Sequence, residues 1–145
     1  MKSTRNCAMT IARASGIAVG LGCLKIDIDH FLVAMLEYPQ SNASAILGAM
    51  NVSRENVTEA VAQRYHQRGS LFLIGSIPYS DAAARTIEAC KSLSRTHPNM
   101  TISSGHLLMT LAESAKPEEV ERVATYGVDL TKVSSHASLL QQEEE

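Results

Sequence analysis

The chain has no tryptophan, and only 4% of its 145 residues are aromatic, although 45% are hydrophobic. A core without many large rings has to be built from Ala, Leu, Ile, Val and Met, and this composition favours packed helices over sheets. A chain of about 150 residues fits one domain and buries roughly two-thirds of the surface that it exposes when unfolded. The composition therefore predicts a single all-α domain.

A strong charge of either sign is also missing, since 13 Lys and Arg stand against 15 Asp and Glu and the formal net charge is −2. This balance gives no general attraction to nucleic acid or to anionic lipid. The apolar run 16–23 loosely imitates the end of a lipoprotein signal, but it is far shorter than the roughly 20 residues that cross a bilayer. We predict neither a nucleic-acid partner nor a membrane partner.

The motifs of several enzyme classes are absent from the sequence. There is no G-x-x-x-x-G-K-[ST] phosphate loop, no G-x-S-x-G elbow, no pair of His at helical i, i+4 spacing and no Cys–His cluster suited to zinc. We therefore expect no enzyme activity, no catalytic residue, no metal and no cofactor.

The three cysteines, Cys7, Cys23 and Cys90, form neither a C-x-x-C pair nor an even-numbered secreted framework. We interpret them as reduced thiols of a cytoplasmic protein, or of an organelle stroma if the organism bears plastids. A hydrolase that uses Cys7 or Cys90 is the weakest alternative, because both fall on apolar faces of predicted helices, where thiols are usually inert.

What the chain does contain is an internal repeat. Residues 4–61 align with residues 80–137 without a gap, at a constant offset of 76. The anchors of the alignment are Ile26-Asp-Ile-Asp-His30-Phe-Leu32 and Ile102-Ser-Ser-Gly-His106-Leu-Leu108. A repeat sets the architecture before any single residue does. The predicted organisation is repeat one at about 4–67, a linker at about 68–79 and repeat two at about 80–141.

Each repeat is predicted to contain four helices, from the spacing of apolar residues and from capping residues. The first helices begin at Thr4 and Ser80, and we expect the copy in repeat one to fray through its glycines, each of which costs about 1 kcal/mol against Ala. Ser104 is predicted to cap the second helix of repeat two, and Asp27 or Asp29 that of repeat one. The other predicted helices lie at about 28–38, 104–114, 41–50 and 117–126, with the fourth helices following Ser53 and Asp129.

Three further features are interpreted as structural. The apolar run 71–74 of the linker is expected to pack across the seam between the repeats or, alternatively, to form an exposed docking site. Residues 141–145 are predicted to be a frayed and solvated end. His30 and His106 are predicted to pack near a helix start, each with one ring nitrogen hydrogen-bonded.

The duplicated pattern resembles the N-terminal double-Clp domain (Clp N, Clp repeat) of the Clp/Hsp100 AAA+ unfoldases. The family's unit combines a Thr or Ser that starts the first helix, an Ile-Gly-Thr-Glu-His-Leu-Leu-type segment and a Leu-Gly-Val-Asp-type junction. These elements occur here twice and in register, as Thr4 and Ser80, as residues 26–32 and 102–108, and as Met50-Asn-Val-Ser53 and Tyr126-Gly-Val-Asp129.

The resemblance implies an all-α, eight-helix bundle of two four-helix repeats related by a pseudo-twofold axis. It also implies a domain that binds protein or peptide segments and does no chemistry itself. The ATPase modules would then lie in another part of the parent protein or in another chain.

The resemblance also points to candidate site residues. A subset of the family holds a basic or phosphorylated-arginine group with the start of each first helix and the acidic residue before the His. The matching hydroxyls are Thr4 and Ser80, but only Asp29 supplies a carboxylate, because the second copy has Gly105. A guanidinium needs a planar, bidentate acceptor, so we expect at most one such site. Asp29 is alternatively only a first-turn residue favoured by the helix dipole.

Other positions are apolar where the family is polar, notably Ile28. We therefore predict a groove at the repeat seam, lined by Met9, Ile28 and further aliphatic side chains, that binds an amphipathic helix of a partner, as the resemblance to the N-domains of sheath-disassembling Clp proteins implies. A charge placed at Met9 or Ile28 is expected to abolish binding. The predicted function is recognition of substrate or adaptor segments, and the alternative is an accessory structural subunit that docks on a Clp protease core.

Overall fold

The computed structural model describes residues 1–65 and 77–143. Within these ranges the chain forms seven α-helices and one 3-10 helix, with no β-strand, which confirms the all-α prediction. The helices are α1 Arg5–Gly20, α2 Ile28–Leu36, α3 Asn42–Ala49, α4 Arg54–Arg64, α5 Asp81–Thr96, α6 Ser104–Ser114, α7 Pro117–Ala124 and the 3-10 helix Leu130–Leu139. His66 and the apolar run 71–74 lie outside the described residues.

Side-chain caps fix where most helices begin. The oxygen of each capping side chain accepts a hydrogen bond from a backbone N–H of the first turn, a contact that contributes about 1 kcal/mol. The second helix of repeat two is capped by Ser103 and not, as predicted, by Ser104, which is its first helical residue. In repeat one the cap is Asp27. The capping side chains are those of Thr4, Asp27, Ser41, Ser53, Ser80, Ser103 and Asp129.

The first helix does not fray at its glycines, contrary to the prediction. α1 continues through Gly16 to Gly20 and is 16 residues long, the same length as α5. Its inner face is held by fully buried Ala14 and Ala18, and tertiary packing of this kind supplies most helix stability in proteins. The helix ends in a Schellman motif, in which Gly22 has a positive φ of 75° and the N–H of Cys23 donates to the carbonyl of Ala18.

The fourth helices of the two repeats differ. α4 is an α-helix, whereas its counterpart in repeat two is a 3-10 helix with a non-helical residue at His136. The side chain of Ser135 donates to the carbonyl of Lys132, and such local side-chain bonds compete with regular helix geometry. The fourth helices therefore depart from the pseudo-twofold relation between the repeats.

The core is centred on the second helix of each repeat. All nine residues of α2 are buried, because α1, α3 and α4 pack around it and α6 contacts it from the other repeat. A helix that is apolar on all sides is expected in the centre of a domain. Truncating one of its large side chains, such as Phe31 or Leu32, to Ala is expected to cost about 2–5 kcal/mol.

The two repeats are interlocked at their edges. The N–H of Thr4 donates to the carbonyl of Ile102 at 2.9 Å, and the N–H of Ser80 donates to the carbonyl of Ile26 at 2.8 Å. The two hydrogen bonds are equivalent, because the offset of 76 pairs Thr4 with Ser80 and Ile26 with Ile102. The start of each first helix therefore lies beside the second helix of the opposite repeat.

Candidate binding site

Two clefts lie where the repeats interlock, and the offset of 76 relates them to each other. We call the first the Asp27 cleft; its volume is about 240 Å³, and Cys23, Leu24, Lys25, Asp27, His30, Tyr65 and Ser80 line it. We call the second the Glu143 cleft; its volume is about 310 Å³, and Thr4, Asn99, Thr101, Ser103, His106, Gln141, Gln142 and Glu143 line it. The repeat has thus produced a pair of equivalent clefts.

A histidine stabilises the helix start beside each cleft. Nδ1 of His30 accepts from the N–H of Asp27 at 2.8 Å, and Nδ1 of His106 accepts from the N–H of Ser103 at 2.9 Å. These contacts complete two capping boxes, as predicted for structural histidines. Burial lowers the pKa of both rings, and nearby carboxylates only partly oppose it. An Nδ1 atom that accepts a hydrogen bond carries no proton, so both rings are neutral.

In the Asp27 cleft the carboxylate comes from the helix cap itself. Oδ1 of Asp27 accepts from the hydroxyl of Ser80 at 2.9 Å and from the N–H of Ile28 at 2.7 Å. Oδ2 of the same residue lies 3.4 Å from Nη2 of Arg122. The start of α5 is therefore joined to the start of α2 through one carboxylate.

Asp29 lies beneath this cleft and is itself fully buried, at the centre of a cluster of polar side chains. Nη2 of Arg122 lies 3.0 Å from its Oδ1, and the hydroxyls of Tyr126 and Tyr65 donate to its Oδ2 at 2.7 and 3.2 Å. Nε of Arg64 is 3.8 Å away. Burial and the Asp29 charge raise the pKa of Tyr65 to about 12 and also raise that of Tyr126. The guanidinium that was predicted to come from a ligand is supplied here by Arg122 of the chain itself.

In the Glu143 cleft the carboxylate comes from the segment that follows the 3-10 helix. Oε1 of Glu143 accepts from the hydroxyl of Thr4 at 2.7 Å and from the N–H of Ser104 at 2.8 Å. Oε2 accepts from the N–H of Asn42 and from the hydroxyl of Ser104, both at 2.5 Å. Thr4 and Ser104 are the counterparts of Ser80 and Ile28. Oε1 of Glu143 therefore accepts from the same two positions of the repeat as Oδ1 of Asp27 does in the other cleft.

The hydrogen bonds of Glu143 determine its charge state. Burial alone would raise the pKa of this carboxyl, but the hydroxyl of Ser104, the N–H groups of Asn42 and Ser104 and the hydroxyl of Thr4 outweigh it, and the pKa is lowered. Glu143 is therefore ionised at neutral pH, although only 7% of it is exposed.

Two more residues of the same segment are held in place. The side-chain amide of Asn42 donates to the carbonyl of Gln141 at 2.7 Å and accepts from its N–H at 3.2 Å. Leu140 packs on Gly105 so closely that a Cβ at position 105 would lie 2.1 Å from its Cδ2. The prediction of a frayed end is therefore wrong for residues 141–143.

The six candidate residues do not form one site. The interlocked edges place Thr4 beside the helix that carries Gly105, and Ser80 beside the helix that carries Asp29. Ile28 is 1% exposed and belongs to the core, whereas Met9 is 37% exposed on α1. These two side chains do not line a common groove, because α2 is buried on all its sides.

A second pair of equivalent cavities lies on the outside of the first helices. The groove of repeat one runs between α1, α2 and α4 with a volume of about 340 Å³, and Arg13, Gly16, Ile17, Gly20, Leu21, Val33, Glu37, Thr58, Val61 and Ala62 line it. Its counterpart in repeat two, lined by α5 and α6, has Ser92 and Thr96 in place of Gly16 and Gly20. Aliphatic side chains of α1, α2 and α4 line the groove of repeat one, and this groove lies within the repeat and not at the seam.

The thiols of the first helices are unsuited to nucleophilic chemistry. Burial, together with the charges of Cys90 and Glu143, raises the pKa of Cys7 to about 12, and burial also raises that of Cys90. Among the described residues, no three His, Cys, Asp or Glu side chains are placed to hold a metal ion. Within residues 1–65 and 77–143, no helix is long and apolar enough to span a membrane.

Glu143, Asn42 and Arg122 are site residues that were not predicted from the sequence. One signal was available for Glu143: the offset pairs the carboxylate of Asp27 with the hydroxyl of Ser103, so one cleft lacks an acid that the other has. The sequence gives no comparable signal for Arg122, because its position is set by how α7 packs.

The fold is a duplicated all-α domain with paired clefts and grooves. The chain belongs to the Clp repeat (R) N-terminal domain family, which matches residues 2–141. A comparison with curated protein sequences gives no match.

Solved structures of Clp N-terminal domains share the fold. The Hsp104 N-terminal domain from Candida albicans is 13% identical at a TM-score of 0.74, over 99% of this chain and 97% of that chain. The N-terminal domain of ClpD from Arabidopsis thaliana is 18% identical at a TM-score of 0.69, over 94% and 92%. A complex of the ClpV N-domain with a VipB peptide is 14% identical at a TM-score of 0.64, over 93% and 84%.

Proposed function

We propose that this domain is a non-catalytic protein-binding module of the Clp chaperone and protease system that recognises segments of substrates or adaptors. Membership of the Clp repeat family supports the proposal. A related N-domain, that of ClpV, has been solved with a bound VipB peptide, which supports a peptide-binding role for this fold. The raised pKa values of the buried Cys7 and Cys90 thiols also favour binding over covalent catalysis.

The observation that carries the proposal is the apolar groove of repeat one. Gly16 and Gly20 contribute no side chains, so the groove is open along one face of α1. Ile17, Val33 and Val61 give it apolar walls from three different helices. An amphipathic helix binds such a groove by inserting apolar side chains spaced at i, i+3, i+4 and i+7. We therefore assign the partner helix to this groove instead of to the seam.

The rim of the groove carries one ion pair that would orient such a helix. Nε of Arg13 lies 2.6 Å from Oε2 of Glu37, and both side chains are partly exposed. An exposed pair of this kind contributes little to stability, about 0–1 kcal/mol. Its two charges are therefore free to exchange partners with the polar face of a bound helix at small cost.

Filling the groove without disturbing the fold tests the proposal. A Cβ at Gly16 meets only the end of the Arg13 side chain at 3.5 Å, so Gly16→Leu fits the backbone and fills the groove. The change is expected to favour helix α1, since Gly is about 1 kcal/mol less favourable than Ala inside a helix. Gly48→Leu is the matched control, because a Cβ at Gly48 in α3 meets nothing within 4 Å.

The measurement is affinity capture from cell lysate with the wild-type chain and both variants, followed by mass spectrometry. A partner protein that the wild type and Gly48→Leu retain and Gly16→Leu loses supports groove recognition. A synthetic peptide with the partner's amphipathic segment must then show the same order of affinities. Retention of the same proteins by all three chains contradicts the proposal. If peptidase subunits are captured and Gly16→Leu does not reduce their capture, the accessory role is indicated instead.

A further inference from the structure

The Glu143 cleft contacts a carboxylate, a stretch of backbone and an apolar side chain of an extended segment. Together these three contacts define the kind of ligand that the cleft can bind. We propose that this cleft binds an extended segment of a partner protein in which a leucine is followed three residues later by a glutamate. Residues 140–143 of the chain itself, Leu-Gln-Gln-Glu, occupy the cleft in the free domain and must leave when the partner segment binds. The site shares no lining residue with the apolar groove, so its failure would leave groove binding untouched.

The first feature is a carboxylate subsite formed by the starts of three helices. Thr4 caps α1, Asn42 is the first residue of α3 and Ser104 is the first residue of α6. Their four donor groups all point at the carboxylate of Glu143. Helix starts attract negative charge through their free N–H groups and the helix dipole. The occupant observed in this subsite is itself a carboxylate, and this identifies the chemistry that it selects.

The second feature is a side chain that forms hydrogen bonds with the backbone of the bound segment. One side-chain amide, that of Asn42, pairs with both the N–H and the carbonyl of Gln141. This contact is independent of the side chain at position 141, which is exposed. The position between the leucine and the glutamate therefore tolerates many residues, as expected for a site that accepts segments of other proteins.

The third feature is an apolar subsite that exists only because position 105 is glycine. Leu140 fills the space that any side chain at position 105 would take. In the other cleft the equivalent pair is Asp29 and Arg64, whose charged groups lie 3.8 Å apart. The two clefts therefore select different occupants, and only the Glu143 cleft has room for a leucine.

The contacts of the natural occupant come from two of its side chains and one backbone position, and this makes it exchangeable for a segment with the same pattern. Leu140 and Glu143 insert their side chains, whereas Gln141 and Gln142 are exposed. A partner segment with the same two side chains would make the same contacts. A tethered occupant acts at an effective concentration on the order of mM. A free peptide is therefore expected to bind the intact domain weakly and to bind well once the natural occupant is released.

The test uses a fluorescein-labelled peptide of residues 138–143, Ser-Leu-Leu-Gln-Gln-Glu, amidated so that the glutamate side chain is the only carboxylate among its amino acids. Fluorescence anisotropy measures its affinity for the wild-type 145-residue chain and for the double variant Leu140→Ser, Glu143→Gln, which releases the occupant. The variant is expected to bind the peptide at least about tenfold more tightly than the wild type. A peptide with Gln in place of its Glu is expected to bind the variant at least about tenfold more weakly. Ser138→Ala, at an exposed position outside the lining of the cleft, is the matched control and should behave as the wild type.

Two results would overturn the inference. The first is a folded double variant that binds the acidic and the Gln peptides equally, or binds neither. The second comes from hydrogen exchange of the wild-type chain and does not require the variant to fold. The amides of Asn42 and Ser104 are expected to exchange at least about a hundredfold faster than that of Leu108, because local release costs less free energy than global unfolding. Exchange of all three amides at one common, global rate would show a permanent structural contact.

Discussion

The Asp27 cleft and the Glu143 cleft share one backbone plan but obtain their carboxylate in different ways. In both, a hydroxyl at the start of a first helix and an N–H at the start of a second helix converge on one carboxylate oxygen. In the Asp27 cleft this oxygen belongs to the cap of α2. In the Glu143 cleft it arrives from a residue 139 positions away from its partner Thr4. The two repeats therefore share the hydroxyl and N–H donors, but the carboxylate that accepts from them comes from different parts of the chain.

The difference extends to the residues beneath the clefts. Asp29 is ion-paired with Arg122, accepts from two tyrosine hydroxyls and is closed to solvent. Its counterpart Gly105 has no side chain, and a leucine fills the space. One half of the domain has therefore become a fixed polar core, and the other half keeps a site with a removable occupant. Both ways of completing a cleft are compatible with the same arrangement of helices.

Among the substitutions that test this comparison, removing the guanidinium of Arg122 has the largest expected effect on the stability of the domain. Arg122→Met removes the nearer ion-pair partner of the buried Asp29 carboxylate and leaves only Arg64, 3.8 Å away. Breaking a buried pair in this way costs about 3–5 kcal/mol. Urea denaturation followed by circular dichroism at pH 7 measures the loss. Arg85→Met is the control, because it breaks a more exposed pair with Glu119, in which Arg85 is 31% exposed, and is expected to cost about 1 kcal/mol.

A second variant isolates the charge. Adding Asp29→Asn to Arg122→Met is expected to recover part of the stability, because no unpaired charge then stays buried. Equal losses for Arg122→Met and Arg85→Met would contradict the assignment of Asp29 to a closed, internally ion-paired cluster.

The capping histidines give a smaller effect that depends on pH. The folded domain holds His106 neutral with a lowered pKa, whereas the unfolded chain protonates it near the ordinary value of 6.5. The unfolded state therefore binds more protons. The contribution of His106 to the free energy of unfolding is full above pH 6.5 and is lost as the pH falls below that value. The loss is at most about 1.4 kcal/mol per pH unit for one histidine.

His106→Gln separates the titration from the cap. Glutamine at this position retains an acceptor for the N–H of Ser103 and does not titrate. Between pH 7 and pH 5, the variant is expected to lose less stability in urea denaturation than the wild type. An identical loss in both proteins would show that His106 does not couple folding to pH.

The fold followed from local patterns, and much of the site did not. Cap residues and apolar spacing act over a few residues each, and the offset of 76 transfers what they indicate from one repeat to the other. Together they led to the eight helices of the described residues in the correct order. Ile28 was assigned to a groove because it is apolar where the family is polar. The structure shows that it lies in a helix buried on every side, where an apolar residue needs no further explanation.

Residues that enter the site from distant parts of the chain were the hardest to predict. Glu143 lies beyond the aligned repeat, and its partners Thr4, Asn42 and Ser104 come from three helices. Arg122 sits in α7, at a position whose counterpart in α3 is Ile46, so the repeat itself suggests an apolar residue there. Only the packing of the helices brings its guanidinium to Asp29.

The most direct test of the account is the titration of Glu143 itself. NMR of the side-chain carboxyl carbon and of the amide protons of Asn42 and Ser104 reports the same contact from both sides. We expect Glu143 to titrate with a pKa below its ordinary value of 4.5, and both amide resonances to move with the same midpoint. Titration of Glu143 at 4.5, with both amides unmoved, would contradict it.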